Sequence, residues 1–200
     1  MASYDIIGSI AVIKSENKTK KQKLEQAKEL LKKSHIKTVI EKTSEIKGLL
    51  RTFETKYLAG IKTFETIHKE NNCSFKLNIE KCYFSPRQST DRKLIAEKIK
   101  KNENVLVMFS GIGAYPIIIY KTKKQKNITC IEISKECNKY AKINIKLNKI
   151  PEDKITLISG DVKKQIPKIK QKFDIIVMTR PNLEYTFLKE ALKVSKKNTK

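Results

Sequence analysis

The 200 residues are enough for one sizeable domain, alone or with a small additional unit, and 39% of them are hydrophobic. The formal net charge of +23 favours a polyanionic partner, above all nucleic acid, although genome composition or surface adaptation could also raise the lysine content. No apolar run approaches the roughly 18 residues of a membrane span, and the first residues lack the basic and apolar regions of a signal peptide, so no membrane partner is expected.

The first 80 residues predict a small α+β domain. Residues 5–14 alternate as a strand does, with Gly8 at a bend or bulge. Residues 20–34 carry leucine and alanine at helical spacing, and the strand-like run 37–42 follows them. The β-rich runs within residues 51–85 predict a small antiparallel sheet.

From about residue 81 the pattern changes to that of a parallel α/β sheet. Four apolar strands, "NVLVMF", "NITCIEI", "KITLIS" and "FDIIVM", alternate with helical segments. Such alternation is typical of parallel strands joined by crossover helices. We therefore expect an α/β domain over residues 81–200, with a ligand site at the carboxyl edge of its sheet.

The first of these strands runs into the glycine turn "FSGIGAY", residues 109–115, which opens a helix. Gly111 and Gly113 let the backbone approach a ligand closely, and the helix N-terminus offers free N–H groups. A third glycine is absent, so the turn does not match the dinucleotide-binding motif G-x-G-x-x-G. On its own the turn does not identify the ligand.

Acidic residues follow the next two strands. Glu132 ends the second strand, where a carboxylate can hold both ribose hydroxyls of an adenosine. Asp161 lies beyond the third strand, placed to face the adenine. Together with the glycine turn, the two acids form the layout of an S-adenosylmethionine site. The alternative is that both acids only cap the helices that follow them.

The fourth strand ends in "MTRPN", residues 178–182. In methyltransferases that act on base nitrogens, this corner of the sheet presents polar groups to a flipped base. Pro181 fixes a turn there. Taken alone, the motif could also be an ordinary strand ending.

Cysteine and histidine do not suggest a metal site. The four cysteines form no C-x-x-C pair, and the two histidines lie far from Cys130 and Cys137 in the sequence. Packed, reduced thiols in a cytoplasmic protein are the simpler interpretation.

Arginine is scarce beside lysine. The chain has 40 lysines and four arginines, which are Arg51, Arg87, Arg92 and Arg180. If a compositional bias places lysine wherever either basic residue would function, the remaining arginines mark positions that need a planar, forked and always charged donor. The alternative is that four arginines are scattered by chance.

The sequence resembles the archaeal and eukaryotic tRNA (guanine-37-N1) methyltransferases over nearly its whole length. The resemblance is carried by "YDIIGSIAVIK", "TFETIHKENNCSFKLNIEKCYFSPR", "MFSGIGAY", "IEIS", "SGDVKK" and "FDIIVMTRP". It implies a class I methyltransferase (Rossmann-like) parallel sheet over residues 81–200, C-terminally shortened, after a small α+β domain over residues 1–80 that positions tRNA. It also implies methyl transfer from S-adenosylmethionine to N1 of guanine 37, with the anticodon stem-loop as partner.

The resemblance also implies roles for individual residues. Asp91 stands where the family has the carboxylate that takes the N1 proton, Arg51 matches the arginine that contacts O6, and Tyr83 lies near the base. A guanidinium at O6 suits this chemistry, because loss of the N1 proton leaves negative charge on that oxygen. The candidate catalytic residues are Asp91, Arg51, Tyr83, Arg92, Thr179 and Pro181. The candidate cofactor-binding residues are Phe109, Gly111, Gly113, Glu132, Asp161 and Arg87, and no metal is expected.

Two positions depart from the family pattern. Val107 replaces an acid before the glycine turn, and Thr179 replaces the asparagine of the fourth-strand corner, where Arg180 could substitute. These departures and the short C-terminus leave open a non-catalytic tRNA-binding module or a subunit of a split enzyme, in which a second chain completes the sheet. The wyosine-pathway relatives give a further alternative, a methyltransferase or aminocarboxypropyltransferase acting on a wyosine precursor. For Asp91 and Arg92, the rival interpretation is that they are an exposed acid–base pair at the start of a helix.

Overall fold

Two compact units make up the computed structural model, which describes residues 4–14, 18–46, 48–125, 127–180 and 185–200. The first unit comprises residues 1–70 and 74–86, and the second comprises residues 71–73 and 87–200. The sequence placed the domain boundary after residue 80, whereas the structure divides the chain after residue 86.

The first unit contains a four-stranded sheet with one helix. Its elements are β1 (Tyr4–Ile7), β2 (Ile10–Lys14), α1 (Lys20–Leu31), β3 (Thr38–Lys42) and β4 (Thr55–Gly60). The strand order is β1-β2-β3-β4, with β2 and β3 parallel and the outer pairs antiparallel. Ala27 and Leu30 from α1 pack with Ala11, Ile13 and Val39 of the sheet in one apolar core.

The single strand predicted for residues 5–14 is wrong, because a two-residue turn at Gly8 and Ser9 folds it into the β1–β2 hairpin. Gly8 has φ +58°, and a Cβ atom there would lie 2.2 Å from Thr66 Oγ1 and 2.5 Å from Ile67 O. Only glycine fits so close to another strand in this conformation. An alternating apolar pattern does not distinguish a bulged strand from a hairpin with such a short turn.

The antiparallel sheet predicted within residues 51–85 is divided between two sheets. Strand β4 joins the first sheet, while β5 (Glu65–Glu70) and β6 (Cys73–Asn78) form a separate two-stranded sheet. Buried and half-buried residues alternate along β6, with Phe75 and Leu77 fully buried.

The second unit is a parallel α/β sheet, as predicted. Its elements are α2 (Ser89–Lys98), β7 (Val105–Met108), α3 (Ala114–Lys123), β8 (Ile128–Glu132), α4 (Lys135–Leu147), β9 (Ile155–Ser159), α5 (Val162–Gln165), β10 (Ile175–Met178) and α6 (Leu188–Lys193). The strand order is β10-β7-β8-β9, and every pair is parallel. All carboxyl ends therefore lie at one edge. None of the helices described combines the length and apolar character needed to cross a membrane.

Val107, where the family pattern has an acid, lies at the buried centre of this sheet. Every residue of β7 is buried, and Val107 lies in register between Val177 of β10 and Cys130 of β8. An ionised acid at such a position would need compensating partners. Valine needs none, because it packs as the neighbouring strand residues do.

The outer edge of β10 is partly covered by residues 194–200. The Lys200 N–H donates to Asp174 O, and the Ile176 N–H donates to Lys200 O, both at 3.1 Å. The Lys196 ammonium also donates to the Asp174 carboxylate, at 2.7 Å, and this contact lowers the pKa of Asp174. Less of the edge is therefore open to a second chain than the strand pattern suggested.

Candidate active site

The glycine turn after β7 places two glycines in different surroundings. Phe109, Gly111 and Gly113 all have positive φ, at +61°, +57° and +85°. A Cβ atom on Gly111 would meet no heavy atom within 4 Å, so open space adjoins its backbone. A Cβ atom on Gly113 would lie 3.4 Å from Ala141 Cβ, against α4. Gly111 therefore gives room to a ligand, while Gly113 serves helix packing.

Glu132 lies at the carboxyl end of β8, beside this turn. Its carboxylate is buried, with the residue 8% exposed. One oxygen accepts the Gly111 N–H and the other accepts the Ser134 N–H, each at 2.8 Å. The cap of α4 is Ser134, whose hydroxyl accepts the Cys137 N–H. Glu132 is thus a buried acceptor fixed at the turn and not the helix cap that was the alternative.

Asp161 does act as a helix cap. Its Oδ1 atom accepts the Lys163 N–H at 2.8 Å, at the start of α5. The Gly160 N–H donates to Glu132 O at 2.9 Å, which ties the loop after β9 to the end of β8. The capping alternative therefore describes Asp161 but not Glu132, and a role of Asp161 toward adenine stays a prediction.

Thr179 follows β10 and joins it to the glycine turn. Its hydroxyl donates to Phe109 O at 2.6 Å, and its N–H donates to Met108 O at 3.3 Å. The threonine thus holds the backbone of the turn in its left-handed conformation. Arg180 beside it is half-buried, and Pro181 lies outside the described residues.

Asp91 and Arg92 lie in different environments, one exposed and one buried. Asp91 is exposed in the first turn of α2. Arg92 is 2% exposed, and its guanidinium carbon lies 5.8 Å from the centre of the Tyr115 ring on α3. The rival interpretation of an exposed pair is therefore wrong for Arg92. Arg87 is exposed in the one-turn helix Pro86–Gln88.

In the first unit the structure brings Arg51 and Tyr83 together. The Arg51 guanidinium carbon lies 4.5 Å from the centre of the Tyr83 ring, close enough for a cation–π contact. Arg51 has φ +54°, and both residues are half-buried. The two residues that the resemblance assigned to the base thus contact each other although 32 positions separate them in the sequence.

All four cysteines are buried, and no disulfide joins them in the part of the chain that the structure describes. Burial raises the pKa of Cys130 far above its ordinary value, so that thiol stays protonated and is a poor nucleophile. Within the described ranges, no group of three or more His, Cys, Asp or Glu side chains is arranged to hold a metal ion.

An aromatic cluster lies at the glycine turn and was not predicted from the sequence. The Phe187 ring packs edge-on against Phe109 and Tyr185, with 4.9 Å between ring centres in each pair. The Lys163 ammonium lies 3.9 Å from the centre of the Tyr185 ring. The Tyr185 hydroxyl donates to Glu190 Oε1 at 2.9 Å, and this bond raises the pKa of Tyr185.

Comparisons with known proteins match both parts of the chain. The family profile of the TRM5/TYW2 methyltransferase domain matches residues 66–199, and that of the TYW2 N-terminal domain matches residues 1–63. A tRNA (guanine(37)-N(1))/4-demethylwyosine(37)-methyltransferase from Nanoarchaeum equitans is 36% identical over 197 residues, which cover 94% of this chain and 65% of that protein. This chain spans 55 to 65% of the length of three curated relatives.

Solved structures of related proteins share the fold. The protein in the complex of aTrm5 and tRNALeu is 32% identical, with a TM-score of 0.86 over 97% of this chain and 56% of that one. Methanocaldococcus jannaschii TYW2, solved in complex with AdoMet, is 26% identical, with a TM-score of 0.70 over 97% of this chain and 72% of that one. The class I methyltransferase fold predicted for the parallel sheet is confirmed.

Proposed function

Because the chain belongs to the TRM5/TYW2 methyltransferase family, we propose that it transfers a methyl group from S-adenosylmethionine to N1 of guanine 37 in tRNA. Relatives named for this reaction, and a relative solved with AdoMet, support the proposal. So does the arrangement at the carboxyl edge of the parallel sheet.

The observation that carries the proposal is the buried Glu132 carboxylate beside the open Gly111 backbone. Each carboxylate oxygen accepts one backbone N–H and keeps a second lone pair for a ribose hydroxyl. The space next to Gly111 fits a ligand that approaches the backbone closely. Phe109 and Asp161 would line the remainder of the cofactor pocket. The cofactor, when bound, supplies an electrophilic methyl group on a positively charged sulfur.

The residues of this chain would then handle the proton and the charge of the base. Asp91 would accept the N1 proton as a general base, since a carboxylate on an exposed helix turn is accessible to a large substrate. Arg51 would donate to O6 and stabilise the charge that develops there. Its contact with the Tyr83 ring restricts the orientation of the guanidinium, which reduces the cost of ordering it.

The surface charge fits a tRNA partner. The second unit carries 27 Lys and Arg against 11 Asp and Glu, so it holds +16 of the formal +23. Binding that neutralises phosphates releases counterions and weakens steeply as salt rises.

The test is methyl transfer from labelled S-adenosylmethionine to an unmodified tRNA transcript with guanosine at position 37. We expect incorporation into this transcript and none into the same transcript with adenosine at that position. The rate at subsaturating tRNA should also fall steeply with added salt. Cofactor and tRNA binding without incorporation would contradict the proposal and favour the non-catalytic module.

A wyosine precursor is the second candidate substrate, because the Nanoarchaeum equitans relative is named for both guanine 37 and 4-demethylwyosine 37. Incorporation into tRNA that carries the 4-demethylwyosine base, with none into the guanosine transcript, would select this candidate.

Replacing Gly111 with alanine is expected to lower cofactor affinity at least tenfold. The new methyl group would occupy the open space, and alanine at φ +57° adds backbone strain of about 1–2 kcal/mol. Gly48→Ala is the matched control, because Gly48 also has positive φ, at +69°, and no neighbour within 4 Å. Titration calorimetry with the cofactor should separate the two variants. Equal affinity in both would exclude Gly111 from the cofactor pocket.

A further inference from the structure

The aromatic cluster of Phe109, Phe187 and Tyr185 leaves one of its rings partly exposed. Tyr185 is 40% exposed, while Phe109 and Phe187 pack beneath it as partly buried members of the core. A tyrosine ring at the surface offers an apolar face together with a polar hydroxyl, the combination that is enriched at binding interfaces.

The exposed ring is held in a fixed orientation. Phe187 packs edge-on against it, and the Tyr185 hydroxyl donates to Glu190 Oε1. Glu190 is 7% exposed, and its second carboxylate oxygen has no hydrogen-bond partner in the part of the chain that the structure describes. The bond from the Tyr185 hydroxyl satisfies the other oxygen of this buried carboxylate, so Glu190 orients the ring.

The surroundings of the ring are strongly basic. Lys163 lies over the ring, and residues 163–200 carry 11 Lys and Arg against 3 Asp and Glu. A rigid aromatic ring combined with lysine side chains is the arrangement that binds unpaired nucleotides, because the ring stacks on a base while the cations neutralise phosphates.

We propose that Tyr185 is a stacking platform for an unpaired tRNA base next to the methylated one, and that Lys163, which lies over the ring in the protein alone, moves off it to bind the phosphate beside that base. The inference rests on the proposed function for the identity of the RNA. Glu190 acts as a positioning residue, since it touches Tyr185 and not the RNA. Phe109 links the platform to the glycine turn, so the stacked base would lie beside the cofactor pocket.

Photocrosslinking tests the platform directly. The probe is a set of anticodon stem-loops in which 5-iodouridine replaces each unpaired loop nucleotide except the target in turn. We expect irradiation of the full chain with one of these RNAs to crosslink Tyr185, identified by peptide mass spectrometry. The absence of a Tyr185 crosslink from the whole set would overturn the inference.

Affinity measurements supply matched controls. Tyr185→Ala is expected to weaken stem-loop binding about tenfold, whereas Tyr185→Phe, which keeps the ring and its packing on Phe187 but loses the bond to Glu190, should weaken it only about threefold. Lys163→Ala should weaken binding more than Lys164→Ala, although each removes one charge. Cofactor affinity measured without RNA should not change in any of these variants. A loss of cofactor affinity in Tyr185→Ala, with RNA affinity unchanged, would mean that the ring serves the cofactor instead.

The two proposals fail in different ways. Methyl transfer by the unmodified protein without a Tyr185 crosslink would leave the proposed function intact and overturn the platform. A Tyr185 crosslink without methyl transfer to any tRNA would do the reverse.

Discussion

Asp91→Asn is expected to lower kcat for methyl transfer by about 10²- to 10⁴-fold, the usual contribution of a general base. Asparagine is nearly isosteric with aspartate but cannot accept the N1 proton. Because Asp91 is exposed in the first turn of α2, the unfolding free energy should change by less than about 1 kcal/mol. Single-turnover kinetics with saturating tRNA and cofactor would measure the effect on the chemical step.

Two further variants control this result. Glu97→Gln removes another partly exposed carboxylate from α2 and should leave kcat unchanged. Asp91→Glu keeps a carboxylate but lengthens the side chain by one methylene, so it should be far more active than Asp91→Asn. A wild-type kcat in Asp91→Asn would show that another group removes the proton.

Glu132→Gln is expected to lower cofactor affinity about 100-fold and to destabilise the fold. Hydrogen bonds to a charged acceptor contribute about 1.5–3 kcal/mol each, and glutamine would direct its amide group at one of the two backbone donors. One buried N–H would then lack an acceptor, which costs about 1–3 kcal/mol of unfolding free energy. Titration calorimetry and thermal unfolding would measure the two effects separately.

Asp153→Asn is the control for Glu132→Gln. Asp153 belongs to the same unit, but its side chain is 69% exposed and pairs with Lys154 at the surface. We expect wild-type cofactor affinity and stability from this variant. If Glu132→Gln also bound the cofactor normally, the proposed pocket would be in the wrong place.

The sequence predicted the parallel sheet and the position of Glu132 for the same physical reason. A buried parallel strand needs a continuous apolar run, and the run "ITCIE" ends at the first charged residue, where the strand emerges at the carboxyl edge. Glu132 therefore had to lie at the edge whatever the order of the strands. The glycine turn after β7 followed from the same argument.

Contacts that depend on strand order could not be predicted in this way. The bond from Thr179 to Phe109 exists because β10 lies next to β7, and alternation of strands and helices does not determine which strands are neighbours. The contact between Lys163 and Tyr185 joins α5, which follows β9, to the segment that follows β10. The burial of Arg92 likewise depends on the packing of α2 against α3, whereas its sequence context suggested an exposed helix start.

Methylation of N1 of guanine 37 can be established by identifying the product nucleoside. A tRNA transcript with guanosine at position 37 would be incubated with the protein and S-adenosylmethionine, digested to nucleosides and analysed by liquid chromatography and mass spectrometry. We expect 1-methylguanosine, absent when position 37 is adenosine and strongly reduced with Asp91→Asn. A nucleoside carrying an aminocarboxypropyl group, or unmodified guanosine although cofactor and tRNA both bind, would contradict the proposed function.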